Sequence, residues 1–271
     1  MKSKHLGMGV ILFEDVIEID QKFLFEYIQW LKKNKENEFI YEEQDGITYA
    51  INKSGFKFNV EDIKQAPQRF IDLLGRQDNK ICPKEYIDFV QLLEDTIYKC
   101  LVEYCVYFND AATTSWWRPF GHIVSYESGQ KIGPHCDDQI PYEWGKNVQN
   151  QTPIHNSSSI NLYLNNSVDT EDELSQYSYI GGEIHFPNIP YIYKPKAGTA
   201  LIYPSSYIGR HEVFPVFKGQ RYAFLSNACY GSTIGEDGLE TIGQGSYNKH
   251  WMPDLMEDLH KITNTSKHIK H

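Results

Sequence analysis

Between Asp20 and Glu38 the apolar positions recur at helical spacing. Phe23, Leu24, Tyr27, Ile28 and Leu31 fall on one stripe, and Asp20 is placed to cap the first turn. The polar run Lys32–Glu38 ends that helix. A second, longer stripe begins near Pro83 and carries Tyr86, Val90, Leu93, Ile97, Leu101 and Tyr104, with proline opening the first turn. Short β-rich pieces such as Gly46–Ile51 lie between the two, so residues 1–110 read as mostly helical. From about 111 to 230 the texture changes. Short alternating or β-branched runs appear at 121–126, 159–164, 182–186, 199–203 and 221–225, each punctuated by Gly, Pro, Asn or Ser. Many short strands with turn signals predict a sandwich, a barrel or a jelly roll. Two insertions interrupt them, at 138–157 and 166–180, and the second carries Asp169–Glu173, a solvated acidic loop. Beyond 231, a Gly-rich stretch precedes a short helix with Pro253 early and Leu255, Leu259 and Ile262 on one face.

Composition narrows the class. At 41% hydrophobic and 14% aromatic, the 271-residue chain can build a real core, which excludes disorder, collagen and coiled coil. No stretch approaches the roughly 20 apolar residues of a membrane span, so a soluble protein is expected. The N-terminal apolar patch is broken by Glu14 and no small-residue cleavage site follows, which speaks against a signal peptide. A net charge of −10 argues against a generic nucleic-acid binder, although a local basic groove stays open. Cys82, Cys100, Cys105, Cys136 and Cys229 form no CxxC pair, so neither a disulfide scaffold nor a zinc ribbon is indicated, and a cytoplasmic location is the expectation.

His135-Cys136-Asp137 is the first triplet with chemistry in it. On a strand, His135 and Asp137 would share a face and Cys136 would turn to the other, in the core. His211 follows the strand at 199–203 and supplies a second imidazole. Two histidines and one carboxylate on one face form the triad of non-heme Fe(II) oxygenases, which leaves coordination positions open where structural zinc would close them. Arg221, ten residues after His211, suits the free carboxylate of a bound dicarboxylic acid, because guanidinium binds carboxylate bidentately and stays charged. Tyr126, nine residues before His135, can add a hydrogen bond to the same carboxylate.

Together these residues resemble a known family. Tyr126, Gly129, His135 and Asp137 at their spacing, then Asn161-Leu-Tyr-Leu-Asn165, Gly181-Gly-Glu-Ile-His-Phe186, Pro195-x-x-Gly198-Thr-Ala-Leu-Ile-Tyr-Pro204 and His211-x-Val-x-Pro-Val-x-x-Gly-x-Arg221-Tyr222 follow in order. The string is similar to the prolyl 4-hydroxylase-like branch of the Fe(II)/2-oxoglutarate dioxygenases and covers about 118–230. The resemblance implies an α+β chain with a double-stranded β-helix core, a cupin-like jelly roll, supported by N-terminal helices. It implies a single dioxygenase domain over 1–271, with the core at 111–230 and a C-terminal extension at 231–271. It also implies iron on His135, Asp137 and His211, 2-oxoglutarate on Arg221 and Tyr126, O₂ as co-substrate and ascorbate as reductant. Such enzymes convert 2-oxoglutarate to succinate while hydroxylating a C–H bond. Halogenating relatives carry Gly or Ala in place of this carboxylate, so an intact Asp137 favours hydroxylation.

Substrate choice is expected from the regions that depart from the family pattern, the long insertion after Asp137 and the 110 residues before the motifs, and a further contact from Arg210 beside His211. His155, Trp144 and Arg210 are the candidates. His185 reads as packed or surface, and Trp116 and Trp117 as core or rim. The leading substrate is a prolyl residue in a peptide; a free amino acid or other small metabolite is the competitor. A non-catalytic metal-binding β-barrel and a nucleic-acid demethylase are the remaining alternatives. The complete triad disfavours the first, and the negative charge disfavours the second.

Overall fold

A computed structural model of the chain describes residues 1–34, 39–44, 46–52, 57–59, 67–70, 82–115, 118–119, 121–138, 154–231, 247–248 and 257–261. Strands β1 (Lys2–Gly7) and β2 (Val10–Glu14) form a hairpin, followed by helix α1 (Gln21–Asn34). A small antiparallel sheet holds β3 (Phe39–Gln44), β4 (Ile47–Asn52) and β5 (Lys57–Asn59). Next come β6 (Gln68–Phe70), helix α2 (Lys84–Tyr107), β7 (Arg118–Pro119), β8 (His122–Tyr126), β9 (Ile132–His135) and β10 (Ile154–Tyr163). The chain continues through β11 (Ser167–Val168), β12 (Tyr179–Gly181), β13 (Ile184–Phe186), β14 (Tyr191–Tyr193) and β15 (Thr199–Pro204). Strands β16 (His211–Val213), β17 (Val216–Gly219), β18 (Arg221–Gly231) and β19 (Tyr247–Asn248) complete the order.

The major sheet has the order β1-β2-β15-β10-β18-β8-β6, and the smaller sheet opposite it is β14-β13-β16-β9. Alternation along the major strands gives each of its faces a separate task. Ile11 and Phe13 of β2, Ile160 and Leu162 of β10, Ala200 and Ile202 of β15, and Tyr222 and Phe224 of β18 pack against the helices. The residues between them, Val10, Leu12, Tyr163, Leu201, Tyr203 and Ala223, pack instead against Ile184, Phe186 and Tyr193 of the small sheet. Two facing antiparallel sheets with helices on one outer side make an α+β chain around a double-stranded β-helix, the jelly-roll architecture expected.

Both helices form where their apolar stripes fall. Asp20 Oδ1 accepts hydrogen bonds from the backbone N–H of Lys22 (3.0 Å) and Phe23 (3.1 Å), the cap the sequence predicts. On α1, Leu24, Tyr27, Ile28 and Leu31 are buried; on α2, so are Val90, Leu93, Ile97, Leu101 and Tyr104. The 1–110 region is less helical than expected, because its described part also contains β1 to β6, and β1, β2 and β6 belong to the major sheet. Val10-Ile-Leu-Phe13 is buried on both faces, so it shows no alternation from which a strand could be read. The reversal before it uses Gly7, Met8 and Gly9, all at positive φ.

The acidic segment 169–173 is exposed, with Lys218 Nζ 2.8 Å from Glu171. All five cysteines are free, and Cys136, expected in the core, is only half-buried because β9 ends at His135 and the chain turns there. Residues 257–261 are helical and Leu259 is buried with the helical core; Pro253, Leu255 and Ile262 lie outside the described residues. Among the described residues no helix is long and apolar enough to cross a membrane.

One tight turn generates a stability test. Gly198 sits at φ +73° before β15; its N–H donates to Tyr163 O and its carbonyl accepts from Val16 N, each at 2.9 Å. An added Cβ would lie 2.0 Å from the Ile17 carbonyl oxygen, which is backbone and cannot step aside. Gly198→Ala should therefore cost about 2–4 kcal/mol through left-handed strain and overpacking. Urea denaturation should show a lower midpoint at an unchanged slope; an unaltered midpoint would contradict this packing.

Candidate active site

The smaller sheet brings the two histidines together. His211, first residue of β16, pairs across the antiparallel ladder with His135, last residue of β9, and their ring centroids are 4.4 Å apart. Asp137 arrives by a different route from the one expected. Strand alternation does not carry it to the face of His135; β9 has ended, and a turn at 137–138 swings the carboxylate back. That turn is held from outside: Asn156 Nδ2 donates to Asp137 O (2.8 Å), Asn156 N to Asp138 Oδ1 (3.1 Å), and Asp138 N to Ser205 O (3.0 Å). Asp137 Oδ1 thereby stands 3.3 Å from His135 Nε2 and 3.9 Å from His211 Nε2. All three ligand atoms lie within 4.8 Å of one another.

Both imidazoles are fixed in the same sense. His135 Nδ1 is 2.9 Å from Gly133 O, and His211 Nδ1 is 3.0 Å from Gly209 O. Since carbonyls only accept, each Nδ1 carries the proton, which leaves an Nε2 lone pair facing the gap between the rings. Burial lowers the His211 pKa and keeps this ring neutral, against the opposing pull of Asp137. Burial alone would raise the Asp137 pKa, but the two histidine rings and the Ser159 hydroxyl beside it hold it down at about 2. Two imidazoles and one carboxylate make a mixed N/O donor set suited to Fe(II). The His211 side chain is 5% exposed, against 28% for His135 and 23% for Asp137, so the cluster opens on the side of the latter two.

The same interior holds a buried cation. Arg221 begins β18, is 2% exposed, and pairs in register with Tyr126 on β8. Its guanidinium carbon lies over the Tyr126 ring at 4.5 Å from the centroid and the Tyr163 ring at 5.5 Å. Burial works to lower its pKa, but the hydroxyls of Tyr126, Tyr179 and Tyr163 outweigh it and keep the group charged. Gly182, at φ +66°, admits the Arg221 stem: a Cβ there would come within 2.9 Å of Arg221 Cδ. Nε of Arg221 is buried without a hydrogen-bond partner, and no described carboxylate lies within ion-pair distance. A buried guanidinium in that condition is costly unless an anion completes it.

The remaining expected residues divide. His155 is half-buried against the 137–138 turn, with Nδ1 3.4 Å from Asp138 Oδ1 and its ring stacked on Tyr230 at 5.5 Å. Arg210 is exposed. Trp144, Trp116, Trp117 and most of the 138–157 insertion lie outside the described residues. His185 is half-buried and bound to Glu212 at 2.8 Å, as a packed or surface residue should be. Sequence reasoning missed Tyr203 and Asn161: the Tyr203 hydroxyl lies 3.2 Å from Asp137 Oδ2 and 3.1 Å from His211 Nε2, and Asn161 Nδ2 donates to it at 3.0 Å. Their spacing on β10 and β15 put both on the inner face, and only the identity of an aromatic with a hydroxyl hinted at more.

The fold places an open cluster of two imidazoles and a carboxylate in the same jelly-roll interior as a buried cation. The sequence model of the 2OG-Fe(II) oxygenase superfamily matches residues 121–228, the segment that carries all of it. Residues 121–228, under half of the chain, thus carry the sequence pattern of that superfamily, whose description names Fe(II) and 2-oxoglutarate. No curated protein sequence matches the chain. Among solved structures, the viral collagen prolyl hydroxylase of Paramecium Bursaria Chlorella virus-1, in its 2OG complex, is 14% identical over 82% of this chain and 96% of its own, with a TM-score of 0.49. A prolyl hydroxylase from Trichoplax adhaerens, in complex with a hypoxia inducible factor oxygen degradation domain peptide fragment, is 15% identical over 81% and 82%, with a TM-score of 0.47. A 2OG-Fe(II) oxygenase family oxidoreductase from Burkholderia pseudomallei is 16% identical over 90% and 98%, with a TM-score of 0.45. All three likenesses are distant.

Removing either imidazole should cost metal affinity directly. In a Co(II) titration, His135→Ala and His211→Ala should each lose more than the roughly 10–100-fold that loss of a merely supporting residue costs. Wild-type affinity in either variant would remove that residue from the ligand set.

Proposed function

We propose that the chain is an Fe(II)- and 2-oxoglutarate-dependent hydroxylase in which His135, Asp137 and His211 would hold the metal, and Arg221 with Tyr126 would hold the co-substrate. The observation that carries this reading is Arg221: a buried, charged guanidinium without a carboxylate partner among the described residues, in the same barrel interior as an open triad. When bound, Fe(II) with O₂ supplies the oxidising power by which 2-oxoglutarate loses CO₂ to become succinate and one oxygen atom enters a substrate C–H bond. The chain's own groups bind and orient. Arg221 pairs with the distal carboxylate, Tyr126 adds a hydrogen bond beside it, and the tyrosine-lined wall excludes water from that end. Ascorbate is the proposed reductant.

For the substrate, the reading is a prolyl residue in a peptide, and its support is the ordered motif string from Tyr126 to Tyr222. His155, half-buried at the edge of the Asp137 turn, is the proposed substrate contact; Trp144 and Arg210 are proposed beside it. The test is incubation of peptide and amino-acid pools with enzyme, Fe(II), 2-oxoglutarate and ascorbate, followed by mass spectrometry. A prolyl peptide gaining one oxygen supports the reading, and a product confined to free amino acids overturns its peptide part.

Arg221→Ala should raise the apparent KM for 2-oxoglutarate while sparing metal binding, since a desolvated charged pair is worth roughly 2–5 kcal/mol, or about 30- to several-thousand-fold. Tyr126→Phe removes a single hydrogen bond and should cost about 1–3 kcal/mol. Greater damage from Tyr126→Phe would show the anchor misassigned.

Asp137 tests the carboxylate ligand. Asp137→Gly should abolish hydroxylation yet leave weak, uncoupled consumption of 2-oxoglutarate that responds to chloride or azide at the vacated position. Asp137→Glu should also fail, because an extra methylene displaces the oxygen beyond the ~0.5 Å that such a site tolerates. Normal product formation by Asp137→Glu would refute the ligand role.

A further inference from the structure

Tyr203 is 1% exposed, and its ring packs edge-on against Phe186 at 5.1 Å. Phenylalanine would fill that space equally well, so the buried hydroxyl needs partners to offset its desolvation. It has three. Asn161 Nδ2 donates to it at 3.0 Å, Asp137 Oδ2 lies at 3.2 Å, and His211 Nε2 at 3.1 Å. A phenol keeps its proton at neutral pH, so the hydroxyl can donate.

Donor counting decides what that proton does. Asn161 fills one lone pair of the hydroxyl. His211 Nδ1 donates to Gly209 O, so its Nε2 can only accept, and Asp137 is acceptor-only. One O–H therefore faces two acceptors. A cation that takes the His211 lone pair leaves the proton a single acceptor, Asp137 Oδ2. The other carboxylate oxygen, Oδ1, is the one 3.3 Å from His135 Nε2. We infer that Tyr203 is a positioning residue for Asp137: its hydroxyl pins Oδ2 so that only Oδ1 faces the gap between the two imidazoles. The carboxylate then offers one oxygen and leaves the neighbouring position for a ligand. This rests on the reading of His135, Asp137 and His211 as metal ligands.

The test uses the full chain with Co(II) as probe, in wild type, Tyr203→Phe, Asn161→Ala and His211→Ala. Melting curves report folding, calorimetry reports affinity, and the Co(II) d–d absorption reports coordination number. Tyr203→Phe should melt close to wild type, bind Co(II) about 10- to 100-fold more weakly, and show an altered d–d band as Asp137 brings in its second oxygen. Asn161→Ala, which removes the donor that orients the hydroxyl, should move affinity and band in the same direction by less. A folded Tyr203→Phe with wild-type affinity and spectrum overturns the assignment. Should Tyr203→Phe fail to fold, Asn161→Ala decides by the same readouts, and unchanged values there overturn it too. A wild-type band absent altogether, or unaffected by His211→Ala, refutes the metal site itself and this inference with it.

Discussion

Successive residues of a strand face opposite ways, and in the major sheet both ways are occupied. That constraint organises everything else. On β18, Tyr222 and Phe224 are committed to the helices, so Arg221 and Ala223 must face the barrel; on β10, Ile160 and Leu162 place Asn161 and Tyr163 inside in the same manner. A one-residue slip of β18 would send a guanidinium into the helical core and a phenylalanine into the site. Helix packing on one face thus holds the chemistry on the other, although α1 and α2 contribute no described side chain to the triad.

The barrel interior is unusually polar for a space lined by Val124, Val213, Val216 and Ala223. Arg221 brings one positive charge and Asp137 one negative, and burial keeps the His211 ring neutral. A divalent cation and a dicarboxylate carry equal and opposite charge, so filling both proposed sites leaves that balance as it was. Each polar group is also directed rather than merely buried. Backbone carbonyls fix both imidazoles, tyrosine rings flank the guanidinium, and the turn at 137–138 is tied to β10 and to Ser205.

Much of this was legible in the chain. The stripes of α1 and α2 and the strands β8, β10, β13, β15 and β18 follow from periodicity, and the ordered motifs single out His135, Asp137, His211 and Arg221, because each depends on a local pattern. What escaped depends on contacts distant in sequence. The β2 run shows no alternation because both of its faces are covered, one by helices and one by the small sheet. Asp137 meets His135 through a turn, and the bonds that shape that turn come from Asn156 and Ser205, far along the chain. Tyr203 stood in the sequence only as part of a strand and a motif; the contacts of its hydroxyl exist only where β10, β15 and the 137–138 turn meet β16.

The central claim is that one interior holds a divalent metal and a 2-oxo acid side by side, the first on His135, Asp137 and His211, the second reaching Arg221. Chelation of Fe(II) by a 2-oxo acid produces a visible charge-transfer absorption, which can be followed without oxygen and without knowing the final substrate. Anaerobic titration of the Fe(II)-loaded protein with 2-oxoglutarate should develop that band at one equivalent, and Arg221→Ala should need far more co-substrate to reach it. An Fe(II)-loaded wild-type protein that never develops the band at saturating 2-oxoglutarate would contradict the account.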